Sequence, residues 1–162
     1  MMNTDRNIYV DPLIPVEQQI AFLRQAAINF KFTVYQELKE RFGNEGIEIF
    51  KSVWRKIVQQ GLKTIRDSNF EQIKKLAGLQ DRIFGFQVEQ DYMKTEEFQY
   101  SITYCPYLEV SKRTGSHLDF CKTIEEVEIE EVSKNLGEMT EPRRMCDGDS
   151  RCTIRVRNTL NK

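Results

Sequence analysis

The chain has 162 residues, of which 40% are hydrophobic, with 24 basic against 25 acidic side chains. That length supports one domain whose core needs no covalent staples, and the balanced charge excludes an electrostatically driven nucleic-acid binder. No window approaches the roughly 20 consecutive apolar residues of a membrane-spanning helix, so neither nucleic acid nor membrane is an expected partner.

Residues 1–15 carry Asp11-Pro12 and Ile14-Pro15 and read as an extended arm. They hold no apolar segment flanked by positive charge, so no signal peptide is expected and the reducing cytoplasm is the expected compartment. From Val16 onward, Ile20, Leu23, Ala27, Phe30, Val34 and Leu38 fall at steps of three and four, the spacing of one long amphipathic helix. Arg41 in its last turn and Gly43 beyond it mark the end. A second helix starts near Glu45, with Phe50, Val53, Trp54, Ile57 and Val58 as its buried stripe and Gly61 as a break. Ser68 and Glu71 have capping-box spacing and open a short third helix that buries Phe70, Ile73 and Leu76 before Gly78.

The period then changes to two. Phe84, Phe86 and Val88 form one alternating set, and Phe98, Tyr100, Ile102 and Tyr104 form another, joined by a charged turn from Asp91 to Thr95. Two half-buried strands are predicted. Pro106 starts a short helix reaching about Thr114, with Cys105 near its N-cap. Ser116 to Asp119 offers the N-cap of a further helix that runs to Leu136 and stops at Gly137. Two last strands flank Asp147-Gly148-Asp149, the second ending in the alternating Thr153 to Arg157. The elements predict an α+β fold, N-terminal helices packed on an antiparallel sheet, as one domain over residues 16–158 with a tail at 159–162.

Candidate chemistry is concentrated in the second half, which holds all four cysteines, Cys105, Cys121, Cys146 and Cys152, and the only histidine, His117. Thiolate and imidazole are the ligands of borderline-soft metals. A helix start at Cys105 lowers a thiol pKa, and His117 and Cys121 stand four apart on one helix face. Cys146 and Cys152 are expected directly opposite each other across the last hairpin, with Cβ atoms about 4.5–5.5 Å apart. A tetrahedral site takes the four cysteines, or His117 in place of one. Zinc is the expected metal, with an iron–sulfur cluster or another transition metal as the alternative. Plain core packing and a Cys146–Cys152 disulfide are also compatible with the spacing.

The acidic run Glu125 to Glu131 reads as a solvated helix face. Arg144 and Tyr104 are candidate substrate contacts, the arginine through bidentate bonds to a carboxylate. Phe30, Tyr35, Trp54, Phe84, Phe86 and Tyr100 are candidates for a pocket wall or for ordinary core.

The segment Gly148-Asp149-Ser150-Arg151-Cys152-Thr153-Ile154-Arg155-Val156 resembles the C-terminal signature of 4-vinyl reductase domains. It is also similar to the L-2-amino-thiazoline-4-carboxylic acid hydrolase-like family. Cys105-Pro106, Cys121 and the Phe42-Gly43-Asn44-Glu45 helix junction strengthen the second resemblance, which extends over residues 25–157. The resemblance implies a ligand-binding fold related to nitric-oxide-signalling and Golgi-transport domains, with an apolar pocket between helices and sheet. It further implies a zinc ion held by three cysteines, matched by Cys121, Cys146 and Cys152, and by a glutamate. Arg143 and Arg144 stand where that glutamate is expected, with Glu141 further off, so Cys105 becomes the fourth candidate.

The expected function is accordingly a sensor- or carrier-type domain that binds a small apolar or carboxylated molecule beside a cysteine-ligated zinc. The hydrolase-like name implies an alternative, a metal-assisted hydrolase that opens a thiazoline carboxylate, with His117 as acid or base. Four protein ligands would close the metal site, whereas three would leave a position for water. A second alternative is a dimerising module, a homodimer whose first helix packs against its own copy.

Overall fold

The computed structural model describes residues 13–65, 68–114 and 119–159. Six helices and four strands occur among them, in the order α1 (Val16–Phe42), α2 (Asn44–Lys63), α3 (Phe70–Leu76), α4 (Leu79–Ile83), β1 (Gln87–Met93), β2 (Glu97–Tyr104), α5 (Pro106–Thr114), α6 (Asp119–Asn135), β3 (Glu138–Arg143) and β4 (Cys152–Arg157). The strands form one antiparallel sheet in the order β1-β2-β4-β3. Two sequence-local strand pairs are thus fused through β2 and β4, with Tyr100 opposite Ile154 at the join. The fold is α+β, as the change of period predicts. Among the described residues no helix is long and apolar enough to cross a membrane.

α1 and α2 form an antiparallel hairpin that turns at Gly43, whose φ of 58° suits glycine. Their approach is tightest at Gly46, where an added Cβ would lie 1.9 Å from the Leu38 carbonyl oxygen. α2 packs on α6, and α6 packs in turn on β3. At the centre lies Phe120, fully buried, with the rings of Phe32, Tyr35, Phe50 and Tyr107 at centroid distances of 5.3, 5.3, 5.9 and 5.4 Å. Such edge-on and tilted contacts add to the area they bury. They tie α1, α2 and α5 to the first turn of α6.

Several local expectations are corrected. α1 buries Ile28, Phe32 and Tyr35, whereas Ile20, Leu23 and Phe30 of the anticipated stripe are exposed, Phe30 by 71%. The helix carries two apolar faces, and the one that packs is the one bearing the aromatic pair. In α2, Phe50 and Trp54 are buried, Val53 and Ile57 are exposed, and the helix runs through Gly61. The capping box of α3 is Asn69 with Gln72, one residue beyond Ser68 and Glu71. Phe84 follows the short helix α4 and belongs to no strand.

Two corrections bear on the site. Cys146 and Cys152 do not face each other across a ladder, because Met145–Asp147 forms a single 3₁₀ turn and Cys152 pairs with Ile102 of β2. The acidic run is a solvated face only in part: Glu126 and Glu130 are exposed, whereas Glu125 and Glu131 are only 8% and 3% exposed. α6 lies between α2 and the sheet, so neither of these sides of the helix reaches water. Glu131 is held there by Arg55 at 3.2 Å and Gln59 at 2.9 Å.

Candidate functional site

Three strands each place alternate residues on the face that meets α6: Tyr100 and Ile102 of β2, Met139 and Glu141 of β3, and Cys152 and Ile154 of β4. α6 answers with Cys121, Glu125 and Glu128, which share one helix face at i, i+4 and i+7. Trp54, Asp81, Phe84, Cys105 and Tyr107 close the remaining sides. The cavity between them has a volume of about 60 Å³. That is room for several waters or for part of a small ligand.

At one end the thiols converge. The ligand atoms of Cys121, Glu125 and Cys146 all lie within 4.8 Å of one another, and all three residues are buried. Cys121 Sγ is 3.6 Å from Glu125 Oε1, and Cys146 Sγ is 4.0 Å from Glu125 Oε2. Cys105, just before α5, hydrogen-bonds with Cys121 and receives the amides of Leu108 and Tyr107. The shared hydrogen bonds hold the Cys105 and Cys146 thiols below their ordinary pKa and push Cys121 up. Cys121 is therefore the proton-bearing member and its neighbours the thiolate-prone ones. Arg144 Nε stands 3.5 Å from Glu125 Oε2 and 3.5 Å from Glu141 Oε2, offsetting part of the negative charge.

Cys152 stands outside this convergence. Its Sγ accepts the Met145 amide at 3.3 Å, and burial pushes its thiol up to about 12. All four cysteines are free.

The other end is acidic and aromatic. Burial pushes Glu128 up to about 8, while Glu141, which hydrogen-bonds Glu125 back at the thiol end, is pushed up to about 9 by burial and by that neighbour. Burial also raises Asp81, but Tyr100 Oη donates to Asp81 Oδ2 at 3.0 Å and Arg82 lies nearby, both favouring its charged form. Lys31 enters from α1, with Nζ 4.5 Å and 4.2 Å from the ring centroids of Trp54 and Phe84. It donates to Tyr107 Oη at 3.0 Å, and burial lowers its pKa.

The structure thus brings Cys105, Cys121 and Cys146 together and leaves Cys152 on the cavity wall. His117 lies outside the described residues. Arg144 adjoins the thiol end, while Tyr104 is 39% exposed and does not line the cavity. Trp54, Phe84, Phe86 and Tyr100 line it, and Tyr35 belongs to the core. Glu125 and Glu128 were concealed within the acidic run. The interleaved Ile124 and Val127 were the available signal, since apolar residues within a charged run mark a covered face. Asp81 and Lys31 had no signal of their own.

The sequence matches the L-2-amino-thiazoline-4-carboxylic acid hydrolase family over residues 22–156. No curated protein matches the chain, and no solved structure matches it.

Proposed function

This chain belongs to the L-2-amino-thiazoline-4-carboxylic acid hydrolase family, and from that premise we propose that its cavity opens a small cyclic amidine carboxylate by adding water. The observation that carries this is the pairing of two enclosed carboxyls with unlike surroundings, Glu128 and Asp81. Unlike environments separate acid from base at one pH. Glu128, protonated at neutral pH, donates to the ring and makes the carbon between nitrogen and sulfur electrophilic. Water bonds to that carbon, and its proton passes to Asp81. The carbon's ring bond to sulfur or nitrogen then breaks, and the departing atom keeps the electron pair and takes a proton. The aromatic walls exclude bulk water, and the carboxyls suit the positive charge of the amidine.

A metal is a second component of the proposal, favoured by the convergence of Cys121, Glu125 and Cys146. Two sulfurs and a carboxylate oxygen, buried and mutually close, form a donor set suited to zinc, with Cys105 beside Cys121 as a fourth donor. Zinc held there would supply Lewis acidity if three protein atoms bound it, or a structural cross-link if four did. A closed site favours a binding domain, and an open one favours the hydrolase.

Steady-state assays on L-2-amino-thiazoline-4-carboxylate, with Glu128→Gln and Asp81→Asn in parallel, test the hydrolase. Ring-opened product from the wild type and its loss in both variants is the expected result. An intact substrate after prolonged incubation with zinc-supplied wild-type protein would sink it.

A further inference from the structure

Trp54 is 4% exposed, lines the cavity, and has an indole N–H with no hydrogen-bond partner among the described residues. The N–H faces Glu128 without closing a hydrogen bond of normal geometry. A buried donor without a well-formed partner is costly, so its retention in a cavity wall points to a ligand acceptor. Tyr107 repeats the pattern. Its hydroxyl accepts from Lys31 Nζ at 3.0 Å, which directs its own hydrogen elsewhere, and no acceptor for that hydrogen occurs among the described residues. A hydroxyl that accepts from an ammonium is a stronger donor in turn. Lys31 itself is held among the Trp54, Phe84 and Tyr107 rings, with one of its three N–H groups used on Tyr107.

These two donors, backed by the Lys31 ammonium, form an anion subsite on the cavity wall shared by α1, α2 and α5. We infer that Trp54 Nε1–H and Tyr107 Oη–H bind the carboxylate of the ligand, with Lys31 as the positioning residue that supplies the charge behind them. This rests on the hydrolase proposal for the identity of the ligand, and it adds the orientation. A carboxylate fixed in this corner places the adjoining ring beside Glu128. Burial keeps Glu128 neutral at pH 7, so the carboxylate meets no fixed negative charge from it.

Trp54 is the only tryptophan of the chain, so its fluorescence reports occupancy of the corner directly. Titrations with L-2-amino-thiazoline-4-carboxylate and with 2-amino-thiazoline, the same ring without the carboxylate, are compared for wild type, Lys31→Met and Tyr107→Phe. Losing a charge-assisted interaction should weaken binding of the carboxylate compound about 10- to 100-fold in Lys31→Met. Tyr107→Phe, which keeps the ring, should weaken it several-fold. Affinity for 2-amino-thiazoline should change by less than about twofold in either variant. Equal losses for both compounds, or no loss in either variant, would overturn the subsite, as would a wild type that binds neither compound. Tight, carboxylate-selective binding without turnover would support the subsite and sink the hydrolase. Turnover without carboxylate selectivity would do the reverse.

Discussion

The two ends of the cavity are built from different parts of the chain. The thiol end comes from a compact stretch of sequence: Cys105 before α5, Cys121 and Glu125 on α6, and Cys146 in the turn after β3. The opposite end is assembled from distant parts, Lys31 on α1, Trp54 on α2, Asp81 on α4 and Glu128 on α6. The thiol end has soft ligands packed against Glu125, with Glu141 beside it. The other end has carboxyl groups, N–H and O–H donors and a desolvated ammonium. Under the proposed function, one end would hold a metal and the other would hold and protonate a polar organic ligand. α6 joins them, carrying Cys121, Glu125 and Glu128 along a single face.

If the ends have separate tasks, substitutions should divide along the same line. Cys121→Ser and Cys146→Ser should each remove stoichiometric zinc from protein purified without oxygen, as read by elemental analysis. Cys152→Ser should retain it, because its sulfur lies outside the convergence. Metal loss from Cys152→Ser equal to that from Cys121→Ser would erase the distinction. At the other end, Glu128→Gln should lower kcat by about 100-fold or more, the usual worth of a general acid, while zinc content stays constant. A fall in both would show that the ends act as one unit.

The pH dependence gives smaller effects of known sign. Turnover that needs protonated Glu128 should fall as pH rises through about 8, and Tyr104→Phe should leave that profile unchanged. In folding, Glu128 keeps a proton that the unfolded chain releases near the ordinary carboxylate value, so stability declines as pH rises between that value and about 8. Glu128→Gln should flatten this decline by up to about 1.4 kcal/mol per pH unit. An unchanged slope in denaturant titrations would place the Glu128 carboxyl in water.

The same contrast explains what was legible in the sequence. Cysteine is rare, so four of them with one histidine in one half of the chain stand out before any fold is known. The antiparallel strand pairs, the glycine turn at Gly43 and the helix after Pro106 follow from local chemistry and occur as expected, although β1 runs through Asp91 to Met93, into the segment expected to turn. Lys31 and Asp81 are ordinary surface residue types, and only the packing of α1 and α4 around the cavity turns them into site candidates. Glu125 and Glu128 were hidden by their neighbours, since a charged run looks solvated until a second layer covers it. The apolar stripe of α1 misled for a related reason. Periodicity identifies a helix and its apolar faces, but the partner chooses which face to bury, and here Phe32 and Tyr35 meet Phe120.

The most direct test of water addition within the cavity is turnover of L-2-amino-thiazoline-4-carboxylate in water labelled with heavy oxygen, followed by mass spectrometry. Opening of the ring by attack at the carbon between nitrogen and sulfur predicts one labelled oxygen in the carbamoyl group of the product, formed more slowly by about 100-fold or more in Glu128→Gln. Intact substrate, or a product without label, would contradict it.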